Sequence, residues 1–388
     1  DGIRDVERSR GLGDVYKRQG DEYNLIIQSL YLLLFLILIF FGQRIQFHIA
    51  LIEVGGLIKQ LNVMRTMARK DTLHEIKKYS GRKDLELEVD RLINSFMILP
   101  ESLDPVGIVR KLEHILNLRE NKFLNDIKKL ITKKTLEYKI RNIGNMLEAT
   151  LALNILYKVL EHYYLLAKKT GNFYLVAQLQ MLAPLYFNEA KAYLHAITAF
   201  KFGTPIGDSI GPLIAYNLVH DKASYLIDIK KDYVKDTDVY TIKRNNRILH
   251  VIKAQGPGGN VGKPGEAIKR LIENRKNNGG EIKLVIMIDA ALKLEGEKSG
   301  SIAEGVGAAI GGIGVEKFKI EEEVTKHNIP IIALVIKESF LEAITTMKKD
   351  IADSIKNIIS RIDHIILSES KENDEIIIAG VGNSIGVL

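Results

Sequence analysis

The feature that most constrains this chain is an apolar run close to its start. From Leu30 to Phe41 every residue is apolar or Tyr, and the run reaches back across Gln28 and Ser29 to Tyr23, a total of 19 positions. A helix needs about 20 such residues to cross the hydrocarbon of a bilayer, so this stretch reads as one transmembrane helix. A buried soluble helix or a signal peptide would compete with that reading. No small-residue cleavage site follows, however, and the chain runs straight on into Gln43 and Arg44. Asp21 and Glu22 precede the span, whereas Arg44, Lys59, Arg65, Arg69 and Lys70 follow it. By the positive-inside rule the remainder is expected at the cytoplasmic face of the cell membrane.

The segment before the span, Asp1 to Gln19, has neither helical nor strand periodicity. It resembles translated adaptor read-through at the ends of metagenomic gene models. Residues 1–20 are therefore set apart as a foreign extension, with 21–48 as the anchor.

The remaining length allows two further folded units of ordinary size. With 46% apolar and 27% charged residues, the chain is neither disordered nor polytopic. It has no cysteine, which excludes disulfides, thiolate metal sites and cysteine nucleophiles, so any metal must be held by carboxylates or histidines. The net charge of +7 comes from Lys and Arg scattered among Asp and Glu rather than from one basic stripe. That pattern suits an anionic membrane surface, and no nucleic-acid partner is expected.

Residues 49–200 carry apolar positions at helical spacing, as in Leu147, Leu151, Ile155 and Val159, and read as all-α. The apolar stretch Leu153–Ala167 invites reading as a second span. Lys158, Glu161 and His162 place polar groups around that helix, so a soluble helix is expected. The histidines His48, His74, His114, His162 and His195 show no metal-binding spacing and receive no role. Leu99-Pro100 and Asp104-Pro105 mark a loop.

Residues 201–388 change character. Strands are expected at Val239–Lys243 and Ile248–Ala254, joined by an Asn245-Asn246 turn, and again at Lys283–Ile288, Ile331–Ile336 and Glu375–Ala379. Helical patterns separate the later strands, so the fold class is α + α/β with a mostly parallel C-terminal sheet. Ligands bind beyond the carboxyl ends of such strands, and the residues there are the candidates.

Three stretches qualify. Gly256 to Glu266 is glycine-rich and opens a helix. The amides of Gly258, Gly259, Asn260 and Gly262, with the Lys263 side chain, could cradle an anion, although Lys263-Pro264 departs from a Walker loop. A plain structural turn is the alternative. Asp289 ends the next strand, followed by Glu295, Glu297 and a glycine-rich loop over Ser301–Gly314 that contains Glu304. The last strand runs into Gly380–Gly386. An echo links two of these places, since Ile206–Leu213 and Val381–Leu388 share five of eight residues.

Through Leu151–Asn154, Gln178–Met181, Gly207–Pro212, Gly256–Glu266, Asp289–Glu297 and Gly305–Gly307, the chain resembles an archaeal single-pass family, the domain of unknown function 1512, which implies no activity. Three fragments, Gly203–Pro212, Ile286–Ala290 and Gly305–Gly314 with Ile329–Leu334, also resemble the germination-protease and hydrogenase-maturation-peptidase superfamily. That second resemblance implies peptide hydrolysis or divalent-metal binding by Asp208 and Asp289. The superfamily's first strand with its G-x-G-N turn is missing before Gly203, and the matching text stands at Ile376–Asn383. A circular permutation is therefore expected, with the last strand in the first strand's place and Asn383 beside Asp208.

The leading expectation is a membrane-tethered hydrolase using Asp208 and Asp289, supported by Glu304 and Asn383 and acting on a peptide or small anion, with a divalent metal as a candidate cofactor on the two aspartates. The alternatives are a non-catalytic anion or nucleotide sensor built on Lys263, and a scaffold that binds proteins through residues 49–200.

Overall fold

The computed structural model describes residues 23–100, 107–312 and 314–388 in full. The 1–20 extension and the Asp104-Pro105 loop position lie outside the described residues. Five helices come first, α1 (Gly2–Tyr79), α2 (Leu85–Ile93), α3 (Ile108–Leu130), α4 (Glu137–Thr170) and α5 (Phe173–Phe202). From Tyr23, α1 is long and apolar enough to cross a membrane, and its apolar window has no buried residue.

The chain divides into two compact units, one of Asp1–Gln60 with Val159–Leu185 and one of Leu61–Lys158 with Tyr186–Leu388. In the first, α4 and α5 meet α1 through Tyr164 beside Gly55 and Gln180 on Glu53, and Ala50, Val54, Ile58, Ala167, Val176 and Leu179 are buried. The Tyr164 hydroxyl comes so near Gly55 that a Cβ there would stand 2.9 Å from it.

In the second unit the helices bury a layer that includes Leu73, Ile76, Val89, Ile127, Ile143 and Leu147. The rest is a seven-stranded sheet built from β1 (Tyr225–Val234), β2 (Thr237–Arg244), β3 (Arg247–Ala254), β4 (Ile282–Leu292), β5 (Ile302–Val306), β6 (Ile331–Glu338) and β7 (Glu375–Gly380), in the order β1-β2-β3-β7-β4-β6-β5. The four central strands, β3, β7, β4 and β6, run parallel to one another, and the outer pairings are antiparallel. The β2–β3 hairpin turns on Asn245 and Asn246, both left-handed at φ 49° and 58°, the geometry that a two-residue turn between twisted strands favours.

Helices α6 (Ile210–His220), α9 (Phe340–Ile344), α10 (Lys349–Asp353) and α11 (Ile355–Glu369), and on the other face α7 (Pro264–Asn277) and α8 (Val315–Lys326), complete three layers. Burial on both faces explains the continuous apolar runs of β4 and β7, which are buried over Leu284–Ile288 and Ile376–Ala379.

The structure adds two strands to those expected from sequence. β1 carries four charges and is exposed over most of its length, and β5 lies in the stretch expected to be a glycine loop. Both are edges of the sheet and need no two-faced apolar pattern. β7, last in sequence, sits at the centre between β3 and β4. Its carboxyl end meets the start of α6, where a Cβ on Gly380 would stand against the Gly211 carbonyl.

Candidate functional site

Where the parallel strands end, a cavity of about 390 Å³ opens between their carboxyl ends, the loop at Gly311–Gly314 and helix α3. Asp208, Asp289, Lys263 and Asn117 all line it. Asp208 stands on a single 3₁₀ turn, Gly207–Ser209, that leads into α6. This turn can sit against the sheet because the next contact is made by glycine. A Cβ on Gly211 would collide with the carbonyl oxygen of Val381, and one on Gly382 would collide with that of Asp208. Gly382 also holds φ at 130°, in the region that side chains avoid.

The amide of Asn383 donates to Asp208 Oδ2 at 2.8 Å. The Asn383 side chain faces its own turn instead, with Oδ1 accepting from the Ile385 amide at 3.0 Å. Asn383 therefore supports Asp208 through its main chain. The two echo segments pack on one another here, since Ser209 Oγ also donates to the Ile385 carbonyl.

Asp289 is buried, and its Oδ1 accepts from the Ala290 amide at 2.8 Å. Burial first and the neighbouring Asp208 charge second push its carboxyl up to about 7, against the Ala290 and Gly311 amides, which favour the ionised form. Burial also raises Asp208, with the Asn383 amide acting the other way. Two carboxylates that feel each other in a poorly hydrated cavity do not both ionise readily, and they titrate as a pair.

A third carboxyl belongs to this group and received no role from sequence. Glu338, at the end of β6, is 1% exposed and is raised to about 8 by burial and by Asp208, Glu342 and Asp289. Neither of its oxygens has a hydrogen-bond partner among the described residues. Gly207 packs directly on it, leaving no space for a Cβ. An acid at the carboxyl end of a central parallel strand was the available signal. Its neighbour Glu342 is held near 2 although burial opposes ionisation, because Lys348, Ser339 and Ser299 donate to it.

The remaining expected residues separate. Glu304 lies on edge strand β5 and pairs with Arg361 at 2.5 Å, away from the cavity, so it does not support the aspartates. The Gly256–Glu266 loop folds inward. The Gly259 amide donates to Asn142 Oδ1, Asn260 to Ser384 Oγ, Gly262 to Asn260 Oδ1 and Lys263 to Thr237 Oγ1. A Cβ on Gly258 would meet Tyr138 of α4. The amides of Gly259, Asn260, Gly262 and Lys263 are thus engaged inside the fold. The Lys263 side chain does reach the cavity, where Nζ donates to Asn117 Oδ1 at 3.2 Å. Sequence reasoning gave no place to α3, yet it forms one wall and is pinned by Lys319, whose ammonium bridges Glu113 at 2.7 Å, Glu266 at 2.9 Å and Glu316 at 3.5 Å.

Among the described residues no group of three His, Asp or Glu side chains is arranged to hold a metal ion. The two aspartates could still contribute ligands beside a substrate, as carboxylates do for hard cations.

No curated protein and no solved structure matches the chain. Two family models do, one described as the DUF1512 protein of unknown function N-terminal domain over residues 28–203, the other as the DUF1512 domain of unknown function C-terminal over residues 206–388. Every residue lining the cavity falls within one or the other, and the chain belongs to the DUF1512 family.

Proposed function

We propose that the cavity is the active site of a hydrolase in which Asp208 and Asp289 share one proton. The observation that carries this reading is that the two carboxyls line one cavity and interact, with Asp289 drawn to about 7. A group poised near the working pH can both take and give a proton. One carboxylate accepts a proton from water as it attacks, and its protonated partner donates to the leaving group, which returns the pair to its starting charge. Lys263, steadied by Asn117, takes an anionic group of the substrate, and a peptide carboxylate has suitable chemistry. The span in α1 holds this site at the cytoplasmic face of the membrane.

The test is a panel of fluorogenic peptides and esters. Asp208→Asn and Asp289→Asn should each lower turnover by about 10² or more. Unchanged turnover in both would sink the proposal. Lys263 also supports a second reading, a non-catalytic anion sensor. That reading requires a thermal shift with phosphate that vanishes in Lys263→Ala while no substrate of the panel is cleaved.

A further inference from the structure

On both sides of its turn the α4–α5 hairpin is acid-free and rich in aromatic residues. Between Glu161 and Glu189 there is no Asp or Glu, but there are Lys168, Lys169 and the aromatics Tyr163, Tyr164, Phe173, Tyr174, Tyr186 and Phe187. Much of the apolar surface is not used in packing, since Tyr174 is 80% exposed and Leu165 54%. In a soluble setting this would be an aggregation-prone patch. Ala167 and Val176 on the same hairpin are, by contrast, fully buried.

The position of the tip along α1 identifies its partner. α4 runs antiparallel to α1, because Asn154 meets Arg65 and Tyr164 then meets Gly55. α5 returns from the turn at Gly171, and Gln180 bonds Glu53. Glu53 stands twelve residues beyond Phe41, about 18 Å along a helix. From Gln180 back to Phe173 is seven residues, about 10 Å in the direction of the span. The tip therefore lies about 8 Å past the end of the apolar run, which is where the headgroup layer, roughly 5–8 Å thick on each side, is found.

We infer that the α4–α5 tip is a second membrane contact, with Tyr174 and Phe173 seated in the interfacial layer and Lys168 and Lys169 reaching toward anionic headgroups. Tyr is favoured at that depth because its ring is apolar and its hydroxyl is wet, and lysines gain from the negative surface potential. The helix does not cross the bilayer. It rests on it, and the contact limits how α1 can tilt. The inference depends on α1 crossing the membrane and is independent of the chemistry in the cavity.

Because the chain has no cysteine, single labels can be placed without background. Full-length protein would carry a spin label at Tyr174→Cys, with Leu33→Cys in the span and Leu118→Cys on α3 as references. It would be reconstituted in bilayer discs of phosphatidylcholine and phosphatidylglycerol. Relative collision rates with oxygen and a water-soluble nickel chelate give depth. The expected result is a hydrocarbon value at position 33, an aqueous value at 118, and an interfacial value at 174 that becomes aqueous in Lys168→Glu/Lys169→Glu. An aqueous value at 174 in the unaltered background overturns the inference. So does an aqueous value at 33, which would remove the span itself.

Discussion

The main-chain amide of Asn383 hydrogen-bonds to the carboxylate of Asp208 across 175 positions of sequence. The two residues hold the same place in the echoed segments Ile206–Leu213 and Val381–Leu388, so the last turn of the chain completes the turn that presents the candidate acid. Several expected outcomes rest on the tightness of this junction and on the charges buried behind it.

Glu338 titrates with an opposite effect on stability from that of a paired surface carboxylate. Its folded-state value is about 8, above the ordinary carboxylate value, so the folded state holds the proton more tightly than the unfolded one. Its stabilising contribution is present in acid and is lost as pH rises from about 4.5 through 8. Glu338→Gln should therefore be nearly neutral at pH 5 and should raise stability by about 2 kcal/mol or more at pH 9. Thermal unfolding in detergent at the two pH values checks this, and equal effects at both would contradict it.

Lys253 gives the mirror case. It is 1% exposed on β3, with the Tyr240 ring 5.7 Å from its Nζ, and burial lowers it to about 8 against the favourable charge of Asp238. The unfolded state binds the proton more tightly, so stability rises with pH between about 8 and 10.5. Lys253→Met should stabilise the protein at pH 7, and the gain should fade by pH 10. A variant less stable at pH 7 would show that the buried ammonium is better solvated than its surroundings indicate.

Gly211→Ala should be severe. The added methyl collides with the Val381 carbonyl and lies near that of Ile288, and neither is the end of a flexible side chain. A loss of about 3 kcal/mol is expected in chemical denaturation, with the cavity distorted. Gly56→Ala, which meets nothing within 4 Å, serves as the control.

Much of this architecture was legible in the sequence, for a physical reason. The central strands β4, β6 and β7 are covered on both faces, and their apolar runs are readable without any partner. Asn245-Asn246 announced its hairpin because few other pairs accept two left-handed residues. The edges β1 and β5 lacked that signal, and in β1 the charges Asp228, Lys230, Lys231 and Asp232 leave no apolar run to mark a strand. At the site, Asp289 could be proposed from a strand end and Asp208 from the resemblance of its loop, whereas the wall formed by α3 could not, because helix-to-sheet contacts leave no local periodicity. The glycine loop misled for a related reason. Its glycines serve close approach to α4 and the C-terminal turn, and glycine content alone does not distinguish that use from anion binding.

Lys319 holds the α3 wall by its three carboxylates, and their charge together with that of the lysine makes the arrangement one-sided. Lys319→Met should leave Glu113, Glu266 and Glu316 repelling one another, costing about 2 kcal/mol. Amide exchange should quicken in α3 and leave β4 and β7 unchanged. Unaltered exchange in α3 would mean that apolar packing alone holds it.

The central claim is that Asp208 and Asp289 behave as one proton-sharing pair. The most direct measurement is a carboxyl-carbon NMR titration of aspartate-labelled protein, compared with Asp208→Asn. Asp289 should titrate near 7 in the wild type and move down toward the ordinary carboxylate range in the variant, though not all the way, since burial is the larger cause. An Asp289 that titrates in the ordinary carboxylate range in both proteins would contradict the pair, and with it the proposed chemistry.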